Sequence, residues 1–185
     1  MELENMKPYG IYGVGILSLL FACSSFADTF FELTLGVGKY ELDVTEKRGI
    51  NFEDNFNAIN LSVAAYRSIS DKSAWGAVID VINPSGRDSH FGSGRIIGLR
   101  PVNYLRRWDD FLVSEFFFGV AQYNGDQKAN GYYLGANARY SPVNTAFSFG
   151  LEYRYYQDLA YDSGLGDKIV DGPSVSVSVK YRFGN

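Results

Sequence analysis

Residues 173–183, PSVSVSVKYRF, alternate without a break. Val175, Val177, Val179, Tyr181 and Phe183 fall on one face, and Ser174, Ser176, Ser178, Lys180 and Arg182 on the other. A period of two is the mark of a β-strand with one apolar and one polar side. FFELTLGVGKY sets Phe31, Leu33, Leu35 and Val37 against Glu32, Thr34, Gly36 and Gly38. NAINLSVAAY sets Ile59, Leu61, Val63 and Ala65 against Asn60, Ser62 and Ala64, and AWGAVIDV sets Trp75, Ala77, Ile79 and Val81 against Gly76, Val78 and Asp80. FLVSEFFFGVAQY, GYYLGANARY and TAFSFGLEYRYY follow the same rule, while GSGRIIGLR leaves its facing undetermined. The pattern predicts eight strands, each about 9–11 residues long, the length a tilted strand needs to cross a bilayer.

Two further regularities organise these strands. ELTLGVGKY from Glu32 aligns without gaps on EFFFGVAQY from Glu115, pairing Glu32 with Glu115, Gly36 with Gly119, Val37 with Val120 and Tyr40 with Tyr123. Strand one then lies over strand five, as in two four-stranded halves. The connections also alternate: RSISDKS and SPVN are short, NGDQKAN is intermediate, and ELDVTEKRGINFEDNF, NPSGRDSHF and QDLAYDSGLGDKIVDG are long. Short turns on one side and long loops on the other characterise outer-membrane barrels. PVNYLRRWDD is the exception, too long for a periplasmic turn.

Alternation alone does not say which face meets solvent, because a soluble sandwich and a membrane barrel share it. The aromatic residues separate the two. Phe31, Trp75, Phe147, Tyr181 and Phe183 sit on the apolar faces at the short-turn ends, and Tyr153 and Tyr155 at the long-loop ends. Two aromatic belts around an aliphatic middle match the two interfaces of a bilayer. On this reading Val177 faces lipid, and Glu32, Asp80, Glu115, Glu152, Arg139, Arg154, Lys180 and Arg182 face a polar lumen.

Composition agrees and narrows the function. Aromatics make up 16% of 185 residues with only 5 Pro, a mix that favours strands. A net charge of −4, with no basic cluster larger than Arg106–Arg107, argues against nucleic-acid binding. One His and one Cys build neither a disulfide framework nor a Cys/His zinc site. Ahead of the strands, GIYGVGILSLLFA is an apolar run too short to span a membrane as a helix. Ser25 and Ala27 then supply the small residues of a signal-peptidase site. Residues 1–27 read as a signal peptide, with Met6 an alternative start, and residues 28–185 as the barrel. LFAC resembles a lipobox, so lipidation of Cys23 stands as a second route of export.

With these segments in place, the chain resembles the small eight-stranded Gram-negative outer-membrane barrels, the OmpA/OmpX-like group, over essentially its whole mature length. The alternating strands carry the resemblance, together with the terminal VSVSVKYRF, which is similar to the C-terminal signal read by the barrel-assembly machinery; here Gly184 and Asn185 follow the final aromatic. The resemblance implies an all-β, antiparallel up-and-down transmembrane barrel, monomeric and set among outer-membrane lipids and lipopolysaccharide.

An eight-stranded barrel is filled by its own side chains. The inward charges are balanced in sign, and such groups must pair to be buried. They read as a structural plug, or alternatively as a narrow ion path. The sharpest catalytic candidate is Asp88-Ser89-His90 in a predicted outer loop, which would suit a lipid A-modifying enzyme. Consecutive residues seldom hold nucleophile–base geometry, however, since triads are assembled across a fold. The acidic outer loops lack the spacing of a calcium site. The sequence therefore predicts a non-enzymatic barrel without metal or cofactor, active in envelope integrity or in surface interaction through its long loops.

Overall fold

The computed structural model describes residues 28–46, 49, 51–85, 94–125, 128–162 and 167–183; the proposed signal peptide, Cys23 included, lies outside them. Eight strands form one closed antiparallel barrel in sequence order: β1 (Thr29–Glu46), β2 (Asn51–Ser70), β3 (Ser73–Ser85), β4 (Arg95–Arg107), β5 (Leu112–Asn124), β6 (Lys128–Tyr140), β7 (Phe147–Asp162) and β8 (Asp167–Phe183). β1 closes on β8 with Val37 opposite Val177. The fold is an eight-stranded up-and-down transmembrane β-barrel. Glu32 on β1 and Glu115 on β5 are both buried, as are Tyr40 and Tyr123, so the two matching segments occupy equivalent inward positions half a barrel apart.

The strands are longer than the sequence pattern predicts, at 13 to 20 residues. Most of the excess lies at one end. The expected long loops at 41–56 and 157–172 are mainly hairpin: β1 runs to Glu46 before β2 starts at Asn51, and β7 runs to Asp162 before β8 starts at Asp167. The four adjacent strands β7, β8, β1 and β2 thus extend together beyond the other four.

Along these strands the polarity of the two faces inverts. In the lower part of β1, Leu33, Leu35 and Val37 are exposed outside, and Glu32 and Gly36 are buried inside. Above Gly38 the outward residues become Lys39, Glu41, Asp43 and Thr45, and the inward ones Tyr40, Leu42 and Val44. β2 inverts at the same level: Ile59, Leu61 and Val63 face out below, Asn57, Asn55 and Glu53 face out above, and Phe56 and Ala58 turn inward. The alternation never breaks; only the solvent changes. Where lipid surrounds the barrel the apolar side faces out, and where water surrounds it the apolar side faces in, as in a soluble barrel. The shift from Val37 to Lys39 and from Ile59 to Asn57 marks the level where the apolar band ends.

The other end is closed by short turns at Asp71–Lys72, residues 108–111 and residues 141–146. The expected long connection PVNYLRRWDD does not exist, because Pro101–Arg107 continue β4. In the turn that remains, the Asp109 carboxylate accepts the backbone N–H groups of Phe111 at 2.7 Å and Leu112 at 2.6 Å. These two donors hold its carboxyl below the usual range.

The inversion yields a paired prediction. Val177→Arg puts a cation into the apolar band and should cost about 2–4 kcal/mol of folding stability in a bilayer. Asp43→Arg, also outward but above the band, should change stability by less than about 0.5 kcal/mol. Heat-modifiable gel mobility across a urea series, after refolding into vesicles, measures both; equal losses would contradict the assigned boundary.

Candidate functional site

The charge of the barrel interior is concentrated below a packed apolar layer that lies toward the long hairpins. Its centre is Asp80 on β3, fully buried. Arg100 on β4 grips it with two parallel bonds, Nε to Oδ2 at 2.7 Å and Nη2 to Oδ1 at 2.8 Å. Ser62 Oγ donates to Oδ1 at 2.6 Å and Tyr133 Oη to Oδ2 at 2.7 Å, so three side chains hold one carboxylate through four hydrogen bonds. Arg100 also reaches Glu152 on β7 at 3.2 Å, and Glu152 accepts from Arg154 two residues along the same face. A bidentate guanidinium–carboxylate pair is among the strongest polar contacts a protein makes, and at this depth pairing is obligatory.

Towards the short-turn end the network continues. Glu115 on β5 accepts from Tyr66 Oη at 2.7 Å, Asn103 Nδ2 at 2.6 Å and Lys180 Nζ at 2.7 Å. Glu32 on β1 is shared by Arg139 at 2.6 Å and Arg182 at 2.9 Å. Together with Ser62 and Tyr66 of β2, every strand supplies one of these groups. A cavity of about 10 Å³ lies among them, bordered by Glu32, Ser62, Arg100, Glu115, Ser178 and Lys180. It has room for about one water. Among the described residues, the Asn137 amide, Arg139 Nε and Nη2, and Ser178 Oγ are buried without a hydrogen-bond partner.

Apolar side chains close the charge toward the long hairpins and interleave with it toward the short turns. Toward the long hairpins lie Tyr40, Leu42, Val44, Phe56, Ile82, Ile96, Phe117, Tyr156, Leu159 and Val170. Toward the short turns lie Phe30, Ala64, Tyr66, Ala74, Val78, Leu105 and Val113. Aromatic rings join the charged and apolar side chains: Arg100 lies 3.9 Å from the Phe117 ring centroid and Arg182 4.1 Å from that of Phe30. Glycines make room for these rings. Tyr133 on β6 crosses β5 and β4 to reach Asp80 on β3, passing over Gly119 and Gly98, where any Cβ would collide with its ring or hydroxyl. Above the band the lumen is largely apolar, with Asp54 the buried charged residue there, because at that level the outer wall carries most of the polar side chains.

Glu32, Asp80, Glu115, Arg139, Glu152, Arg154 and Lys180 are buried and Arg182 is 32% exposed at its side chain. All eight point inward: Asp80, Glu115, Glu152, Arg154 and Lys180 are joined through Arg100, and Glu32, Arg139 and Arg182 form a triad of their own beside them. The sequence pattern missed Arg100, the central cation. β4 carries a bulge: Arg100 pairs with Val78 and Asn103 with Gly76, which leaves Pro101 and Val102 together opposite Ala77, both exposed. The bulge returns Asn103 and Leu105 to the inside after Arg100. The Pro within an otherwise strand-like run is the signal that could have indicated it.

Outside, Trp75, Phe147, Tyr153, Tyr155, Tyr181 and Phe183 are exposed and Phe31 is half-buried. Rings meet across neighbouring strands at the short-turn end, Phe31 with Phe183 at 5.9 Å, Phe147 with Tyr181 at 5.0 Å and Trp75 with Tyr104 at 5.1 Å. Asp88, Ser89 and His90 lie outside the described residues.

Removing one partner of a buried pair strands the other. Arg100→Leu should therefore lose about 3–5 kcal/mol, and Arg100→Leu with Asp80→Leu should lose less than the sum of the two single changes. Urea titration of the refolded barrel gives the cycle; strict additivity would show that the pair is not coupled.

No family model and no curated protein matches the sequence. Solved structures do match by shape. Neisserial surface protein A aligns with a TM-score of 0.52 at 10% identity, over 83% of this chain and 97% of that one. Ail, the attachment invasion locus protein of Yersinia pestis, in complex with the heparin analogue sucrose octasulfate, aligns with a TM-score of 0.45 at 15% identity, over 83% of this chain and 99% of that one. At such identities the likeness is one of fold. The closed eight-stranded barrel, with its inward charges and outward apolar band, shares its fold with Neisserial surface protein A.

Proposed function

We propose that this chain is a monomeric, non-enzymatic outer-membrane protein of a Gram-negative envelope that works through its outer surface rather than through its lumen. Residues 1–27 direct export, and the barrel-assembly machinery inserts residues 28–185 among outer-membrane lipids and lipopolysaccharide. The short turns face the periplasm and the β7–β8 and β1–β2 hairpins stand outside the cell, the orientation usual for such barrels. The observation that carries this reading is the packed interior. Paired charges set among apolar side chains, with a cavity of only about 10 Å³ between them, offer neither a water-filled path nor an open ligand chamber. What remains available to a partner is the outward face of the protruding hairpins, where Glu41, Asp43, Glu53, Asn55 and Asp171 are presented on ordered strands.

Two measurements test this. Wild type in planar bilayers should give no steady conductance, and an ohmic conductance would contradict the sealed interior. Intact cells carrying the protein should bind surface ligands or other cells more strongly than cells without it. Replacing residues 43–53 and 158–171 by short turns should remove that gain while the barrel still shows heat-modifiable mobility. Binding that survives the replacement would exclude the hairpins as the working surface.

A further inference from the structure

The β4 bulge has an external consequence as well as an internal one. Uninterrupted alternation from Arg100 would point Val102, Tyr104 and Arg106 inward. The extra residue at Pro101–Val102 instead sends Tyr104 and Arg106 outside. There they join residues from two neighbouring strands. Arg67 on β2 is directly opposite Trp75 on β3, Trp75 is opposite Tyr104 on β4, and Arg106 is opposite Ser73, one step nearer the short turns. Arg67, Trp75 and Arg106 are exposed and Tyr104 is partly exposed. The Arg106 guanidinium lies 5.1 Å from the ring of Trp108, which is itself 53% exposed.

We propose that this patch, Arg67, Trp75, Tyr104, Arg106 and Trp108, binds the phosphate headgroup of an anionic phospholipid in the leaflet at the short-turn end; this rests on the membrane placement proposed above. Three observations carry it. First, among the described residues neither arginine is in an ion pair, whereas Arg100, Arg139, Arg154, Lys180 and Arg182 all meet carboxylates. Second, the cations are confined to one sector. Elsewhere on this perimeter the outward residues are Phe31, Tyr140, Phe147, Tyr181 and Phe183, with no outward Lys or Arg among the described residues. Third, the spacing suits one headgroup. Strands lie about 4.8 Å apart, so the β2 and β4 backbones are about 10 Å apart, and two arginine side chains of that reach converge on a phosphate in front of Trp75. Guanidinium groups bind phosphate oxygens through paired hydrogen bonds, and indole and phenol rings suit the headgroup level, where one edge is apolar and the other wet.

The chain has 2 Trp, Trp75 and Trp108, and both belong to the patch, so tryptophan fluorescence, excited beyond the absorption of the 14 Tyr, reports on it alone. The protein is refolded into phosphatidylcholine vesicles in which a fixed fraction of lipid is brominated, either phosphatidylglycerol or phosphatidylcholine. Brominated chains quench a nearby tryptophan, and relative quenching gives relative occupancy. A cation at an anionic lipid surface is worth about 1 kcal/mol, so phosphatidylglycerol should be preferred about fivefold or more at wild type. Arg67→Gln with Arg106→Gln should bring the ratio near one while quenching by phosphatidylcholine persists, and Lys39→Gln, beyond the other edge of the band, should leave the preference intact. Heat-modifiable mobility checks that each variant folds. Equal quenching by the two lipids at wild type, or a preference that survives in the double variant, overturns the inference but not the membrane placement. Quenching by neither lipid overturns the placement and the inference with it.

Discussion

The structure depends on keeping Asp80 ionised inside a barrel from which water is nearly excluded. A lone carboxylate there would be prohibitively costly, and a single weak partner would not offset its desolvation. The solution is a bidentate arginine plus two hydroxyls, with Arg154 beyond them. Each of these partners imposes a condition elsewhere. Arg100 must point inward from β4, Tyr133 needs clear passage over Gly119 and Gly98, and the guanidinium left over from Asp80 needs Glu152. Charge, bulge and glycine placement are thus one design problem, solved together by residues on six strands.

The second constraint comes from outside. Hydrogen bonding closes the backbone of every strand, so the surroundings act only through side chains. Over the apolar band, lipid takes the aliphatic residues and the barrel must hide its polar ones, which is why the charges are inside. Above Lys39 and Asn57 water surrounds the wall, the polar residues move out and an apolar core forms within. The charged layer is consequently sealed by the same change of solvent that ends the band. A barrel whose strands stopped at the bilayer edge would lack this outer seal.

Much of this is legible in the sequence because the period of two is strict. The facing of β1, β2, β3 and β8 follows directly from alternation, and the aromatic residues at the strand ends choose between lipid and water. The inversion is also present in the letters, since Val37-Gly38-Lys39-Tyr40-Glu41-Leu42 still alternates. It reads as loop only if one polarity is assumed for a whole strand. What alternation cannot reveal is a change of phase. At Arg100-Pro101-Val102 one extra residue resets the pattern, so the facing of β4 is indeterminate and seven residues of strand pass for a turn. Nor does a pattern along single strands show that Tyr133 reaches across two others to a third, because that contact depends on the curvature of a closed sheet.

The bulge shows why such a phase change is retained. An unbroken β4 with Arg100 inside would send Tyr104 and Arg106 inward too, into the layer where Phe30, Tyr66, Val78 and Val113 already pack. A further arginine beside the buried Arg139 and the partly exposed Arg182 would have only Glu32 and Glu115 to share, both already bonded. Moving the phase at Pro101 leaves Arg100 with Asp80 and exchanges Tyr104 and Arg106 for Asn103 and Leu105. Asn103 completes Glu115, Leu105 joins the apolar cluster, and the displaced arginine goes to the surface beside the tryptophans. One inserted residue thus balances the interior charge and at the same time places Arg106 on the exterior beside Trp108.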